Sequence, residues 1–232
     1  MKYKCDIKFM AVPSRMQNVA KLCLQLGLSI SDVAIDTEMS GKPLKTSQKA
    51  FSLPMEEGVT HRLVLQDDLI VNPCIYEYVQ LLVNRFPSNP LALYTYKRET
   101  HAPDLQHGIY RLHFLPGPAI IMPLPIMEQI KAEYSKYPKF RDDDWFYSWF
   151  CRHNNIKCYG VIPNIVTLNW DMESSMGNNV LKRYKNKLYA EGIVDIEKLP
   201  LYGDKYGDLY TCLNDDKFNQ IYDDISRRSN SD

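Results

Sequence analysis

Residues 63–71 of this 232-residue chain (LVLQDDLIV) limit the possible folds more than any other stretch. Leu63, Val64 and Leu65 are apolar without alternation, so the strand they form must be covered on both faces. A parallel sheet sandwiched between helices does that. Two adjacent carboxylates, Asp67 and Asp68, stand where the run ends. In open α/β sheets, ligands gather beyond the carboxyl ends of the strands. Unpaired buried carboxylates are costly, so the pair implies a cation or a hydrogen-bond network beside it. Hard oxygen ligands of this kind suit a magnesium- or manganese-type ion. The plainer alternative is a strand end at which Asp67 or Asp68 caps the next segment.

The rest of the first hundred residues extends the pattern. Residues 6–12 read as a strand, and Ser14 as the cap of a helix with Val19, Leu22, Cys23 and Leu26 on its apolar face and Gly27 at its end. Residues 30–35 read as a second strand closed by Asp36, and a short helix is expected near residues 45–52. Asn72 and Pro73 open a helix whose apolar face runs from Ile75 to Phe86. Residues 91–96 read as a further strand. This alternation argues for parallel βα units with right-handed crossovers. Further on, residues 109–114 read as an edge strand and residues 119–122 as a short apolar strand. Pro125 opens a helix to about residue 134, an aromatic helix follows the run Asp142, Asp143 and Asp144, and residues 156–161 and 165–168 close the sheet.

Composition sets limits on function. Twenty-eight basic and 28 acidic residues cancel, so no global field draws the chain to nucleic acid or to an anionic membrane. No apolar run reaches about 18 residues, and the N-terminal residues lack the apolar stretch of a secretion signal. The six cysteines are dispersed without zinc-site spacing and read as reduced thiols in a cytosolic protein. No P-loop, dinucleotide fingerprint or nucleophile elbow appears. His101, His107 and His113 lack metal-ligand spacing.

The acidic run at residues 142–144 is the second constellation. Acidic residues are favoured in the first turn of a helix, yet three in succession exceed what a cap needs. One of them, beside an acceptor hydroxyl, can act as a general base with a pKa tuned by its neighbours.

With both acidic motifs in place, the sequence resembles the GT-A class of nucleotide-sugar glycosyltransferases, especially small stand-alone bacterial and phage members. Five ordered features over about residues 6–179 carry the resemblance: Val12-Pro13-Ser14-Arg15 after the first strand, LVLQDDLIV, LPGPAIIM, DDDWFYSWF and PNIVTLNWDMESSMGNN. It implies a Rossmann-like α/β fold with a mostly parallel central sheet flanked by helices over residues 1–179. Residues 180–232 would be a polar, helical or irregular extension packed on the same domain.

The resemblance also implies roles. Asp68 matches the metal ligand of the family's acidic motif, Asp67 its middle residue, and Gln66 stands where relatives often carry an acid. Asp144 resembles the catalytic base of inverting members, with Asp143 as its acidic neighbour. Asn169 is the nearest match to a histidine that contacts metal or diphosphate in relatives. Val12, Pro13, Arg15, Asp36, Gly117, Ser174 and Ser175 fall at donor-binding positions. The implied cofactor is Mn2+ or Mg2+, and the implied donor a nucleoside-diphosphate sugar, UDP-sugar favoured. The acceptor is a glycan or a hydroxymethylated base of phage DNA, the latter with residues 182–187 and Arg227-Arg228 on backbone phosphates. A non-catalytic nucleotide-sugar-binding module and a metal-dependent nucleotidyltransferase are the competing readings.

Overall fold

The computed structural model describes residues 2–38, 42–95, 106–137, 141–169, 171–172, 189–190 and 192–202. In chain order these form β1 (Cys5–Ala11), α1 (Met16–Leu26), β2 (Val33–Ile35), α2 (Pro43–Phe51), β3 (His61–Gln66), β4 (Leu69–Val71), α3 (Ile75–Arg85), β5 (Leu91–Ala92), β6 (Gly108–Leu112), β7 (Ala119–Pro123), α4 (Leu124–Tyr134), α5 (Asp143–His153), β8 (Cys158–Ile162) and β9 (Val166–Leu168). Seven strands make one sheet in the order β2-β1-β3-β7-β5-β8-β6, and β4 and β9 pair antiparallel beside it. Five of the seven run in one direction, with β7 and β6 reversed. The expected α/β class, a mostly parallel sheet flanked by helices, is what the chain adopts.

Side chains alternate across each strand and so sort into two cores. Ile7, Phe9, Leu63, Leu65 and Ile121 pack under α1 and α3. Met10, Val64, Ile120 and Met122 pack under α2, α4 and α5. Burial on both faces explains why β3 and β7 read as unbroken apolar runs. The described C-terminal residues join the first core through Ile196 and Leu199, and Ile109 N–H donates to the carbonyl of Pro200 at 2.8 Å.

Arg62 departs most from the usual place of its residue type: it is 0% exposed in the middle of the sheet. Its Nε and Nη2 grip both oxygens of Asp6 at 2.9 and 2.6 Å. Its Nη1 reaches the carbonyls of Ala50, Phe51 and Leu53 and so satisfies the end of α2.

Three local expectations are corrected. The strand at residues 91–96 ends at Ala92: Leu93 N–H makes one more in-register bond to the Ala119 carbonyl, and Thr95 then bonds to the Asn164 side chain instead of a ladder. The first part of residues 30–35 is a 3-10 turn closed by Ser29 and Asp32. Ser14 does not cap α1; Pro13, Ser14 and Arg15 form a 3-10 turn, and the helix starts at Met16 with no side-chain cap. The direction of β7, which the sequence reading left open, is antiparallel to both β3 and β5. An apolar run fits a central strand in either direction, so residue type does not encode its polarity.

Candidate functional site at the sheet edge

The parallel strands β1, β2 and β3 bring their C-terminal ends, Ala11, Ile35 and Gln66, to one edge. Because β7 is reversed, its beginning arrives at that same edge: Ala119 pairs with Leu65, and Gln66 N–H donates to the carbonyl of Pro118 at 3.0 Å. The turn before β7 therefore lies against the end of β3, and the pleat sends consecutive residues to opposite sides.

On the α1 side stands the aspartate pair. Asp67 is buried, accepting from Val12 N–H at 2.7 Å and from Arg15 Nη1 at 2.7 Å. The Asn18 side-chain amide donates to its carbonyl at 2.6 Å. The same Arg15 Nη1 reaches Asp68 Oδ2 at 3.0 Å. Asp68 Oδ1 is buried and has no hydrogen-bond partner among the described residues. Burial pushes the Asp68 carboxyl up, Arg15 pulls it back, and Asp67 adds to the rise. Asp68 opens β4 and Asn169 follows β9, so pairing of those strands brings the two together: Asn169 N–H donates to the Asp68 carbonyl at 2.6 Å. The Asn169 side-chain oxygen accepts from Asp171 N–H at 3.2 Å.

On the α5 side stands the second acidic set. Asp143 is buried in the first turn of the helix, Asp144 is half-buried and Asp142 is exposed. Asp144 N–H donates to Asp143 Oδ1 at 2.9 Å, and Trp145 N–H to Asp144 Oδ1 at 2.8 Å. Burial pushes Asp143 up to about 6, although the amides of Asp144 and Asp143 and the Ser47 hydroxyl pull the other way. Burial and the Asp143 charge raise Asp144 well above the usual carboxylate range.

Gly117 joins the two sides. A Cβ at this position would stand 3.2 Å from Gln66 Nε2, 3.3 Å from Asp143 Oδ1 and 3.5 Å from Asp144 Cβ. The turn is pinned by Ser148, whose hydroxyl accepts from Leu115 N–H at 2.8 Å and donates to the Asp144 carbonyl at 2.5 Å. Beneath it, Tyr147 and Ser47 share a buried hydrogen bond of 2.8 Å that ties α5 to α2.

The structure thus gathers Val12, Arg15, Gln66, Asp67, Asp68, Gly117, Asp143, Asp144 and the Asn169 backbone at one edge. Pro13 lies in the adjoining turn, and Asp36 is buried where β2 ends, its N–H donating to the Ala11 carbonyl at 2.8 Å. Ser174, Ser175, residues 182–187 and Arg227-Arg228 lie outside the described residues. The sequence reading missed Asn18, Ser47, Tyr147 and Ser148. Ser148 had a usable signal, since a mid-helix serine four residues after Asp144 can bond back to its carbonyl.

Among the described residues, no group of three or more His, Cys, Asp or Glu side chains is arranged to hold a metal ion. The unpartnered Asp68 Oδ1 nevertheless suits a cation whose other ligands come from phosphate oxygens and water. No described helix is long and apolar enough to cross a membrane.

Fold and edge together define an α/β protein with two acidic clusters at the carboxyl end of its first parallel strands. No family model matches the chain, and no curated protein matches it. Among solved structures it is similar to a mutant of Drosophila β-1,4-galactosyltransferase 7 in complex with manganese, UDP-Gal and xylobiose. The TM-score is 0.32 at 10% identity, over 82% of this chain and 77% of that one.

Proposed function

We propose that the protein is a glycosyltransferase of the GT-A type, moving a sugar from a nucleoside-diphosphate sugar, UDP-sugar favoured, to a hydroxyl acceptor with inversion. One observation carries the reading: Gln66, the residue just before Asp67-Asp68, and the Asp143-Asp144 helix start meet at Gly117. A donor at this edge has its diphosphate toward Asp68 and its sugar over the glycine. Asp68 would hold Mn2+ or Mg2+, whose charge offsets that developing on the departing diphosphate. Asp144 accepts the acceptor hydroxyl proton while the acceptor oxygen bonds to the anomeric carbon. The bond from that carbon to the diphosphate oxygen breaks on the opposite face. The raised position of Asp144 suits a base that must take up a proton. Val12, Pro13, Asp36, Gly117, Ser174 and Ser175 complete the donor site, and Asn169 is a second metal-facing candidate. The catalytic unit spans residues 1–179, with residues 180–232 packed on it as an extension.

The acceptor is a glycan or a hydroxymethylated DNA base; steep loss of activity with salt on duplex DNA distinguishes the second. Arg15 already occupying Asp68, and the Asn169 side chain engaged with Asp171, favour one alternative: a binding module without turnover. The deciding experiment incubates purified protein with common nucleoside-diphosphate sugars, with and without Mn2+. It follows melting temperature and release of nucleoside diphosphate. Stabilisation plus release supports the transferase, stabilisation alone supports the binding module, and neither with any donor defeats both.

A further inference from the structure

We propose that Arg15 is the positioning residue of this edge: it gathers Asp67 and Asp68 onto one guanidinium and aims Asp68 Oδ1 into the site, rather than touching the donor itself. Arg15 follows β1 in a 3-10 turn and is only 8% exposed. Neighbouring residues at a strand end tend to point their side chains apart. Here both carboxylates come to a single nitrogen, Nη1, at 2.7 and 3.0 Å. Asp67 is held from a second direction by Val12 N–H, so it serves as the fixed post of the cluster. Asp68 has no such second tether on its side chain. Its Oδ2 is taken by Arg15 and its Oδ1 is left buried and unpartnered.

Two consequences follow. The guanidinium neutralises part of the charge gathered there, so the carboxylates can be buried before any cation arrives. It also fixes which Asp68 oxygen remains available, much as outer partners orient a metal ligand. The inference rests on reading Asp68 as the carboxylate that faces the diphosphate, but its stability arm does not depend on that reading. A guanidinium that only repelled cations would weaken metal binding, and removing it would strengthen that binding.

The test uses purified full-length protein carrying Arg15→Gln, Arg15→Lys, Asp68→Asn, or Arg15→Gln with Asp68→Asn. The first readout is the melting temperature of the ligand-free protein. Arg15→Gln should melt about 10 °C lower, since it leaves buried carboxylates without a counter-charge. The double variant should recover at least half of that loss. The second readout is Mn2+ binding with UDP present, followed by the free-ion electron paramagnetic resonance signal. Arg15→Lys, which keeps the charge but puts it on a flexible stem instead of a planar guanidinium, should bind about tenfold more weakly. If Arg15→Gln fails to fold, the Lys and double variants still decide. Unchanged melting of Arg15→Gln, no recovery in the double variant, or tighter Mn2+ binding by either Arg15 variant would overturn the proposal. If the melting pattern holds while even the native protein binds neither Mn2+ nor UDP, the positioning role stands and the transferase reading falls.

Discussion

Gln66 and Asp143 close on one point from opposite sides: the Gln66 side-chain nitrogen and an Asp143 carboxylate oxygen stand 3.2 and 3.3 Å from where a Cβ on Gly117 would be. One residue comes from the end of β3 and the other from the first turn of α5, so a side chain at this position would crowd both. Gly117→Ala would push both groups back by a few tenths of an ångström. Stability should fall by about 1 kcal/mol. Transfer should fall by about tenfold, since small misplacements at reacting groups are expensive in rate. Melting curves beside donor hydrolysis and transfer rates check both halves, and unimpaired transfer would place the reacting groups elsewhere.

Asp68 and Asp144 should fail in different ways. Asp68→Asn is expected to abolish Mn2+-dependent binding of the donor. Asp144→Asn should bind donor at close to the native affinity and lose transfer by at least about 100-fold, the lower range for a general base. Calorimetric binding and steady-state rates on both variants separate the roles, and equal loss of both properties in each would contradict the division.

The pH dependence has a definite sign. Asp143, at about 6 in the folded chain and near 3.8 when unfolded, holds its proton more tightly when buried. Its contribution to stability is complete below the unfolded value and is lost as pH rises through about 6. Asp144 shifts in the same direction. The ligand-free protein should therefore melt at a higher temperature at pH 5 than at pH 7, and Asp143→Asn should flatten that slope. Transfer should run the opposite way and weaken as pH falls, because Asp144, its carboxyl raised by burial and by the Asp143 charge, must be free to accept a proton. Melting temperatures of both proteins across that window, and a rate profile of the native protein, check this.

Arg62 tests the scaffold apart from the site. Its guanidinium holds Asp6 and the last carbonyls of α2 with no exposure to solvent. Arg62→Met leaves the Asp6 carboxylate without its bidentate partner and should lower stability by about 3–5 kcal/mol. Denaturant unfolding measures it; a loss below about 1 kcal/mol would show that the network is dispensable.

Much of the layer plan was legible because burial on both faces leaves unbroken apolar runs such as Leu63, Val64 and Leu65, and amphipathic spacing marks α1 and α3. Strand direction was not, since Ala119 to Met122 reads alike in either sense. Among site residues, Asp67, Asp68, Asp143 and Asp144 stand out by repetition. The Arg15 link depends on a contact across 52 positions and has no local signature. Likewise, the burial of Arg62 contradicts what its residue type suggests and emerges only once α2 is folded over it.

The reversed β7 bears on how such an edge could diversify. Loops leaving β1 and β3 carry Arg15, Asp67 and Asp68, while the segment entering β7 and the start of α5 carry Gly117 and the second acidic set. The first group leaves parallel strands and the second leads into a reversed one, so an insertion ahead of β7 can reshape the Gly117 side without disturbing the parallel register of β1, β2 and β3. Variation there could therefore accumulate on one flank of the edge while the Arg15-Asp67-Asp68 cluster on the other stays as it was.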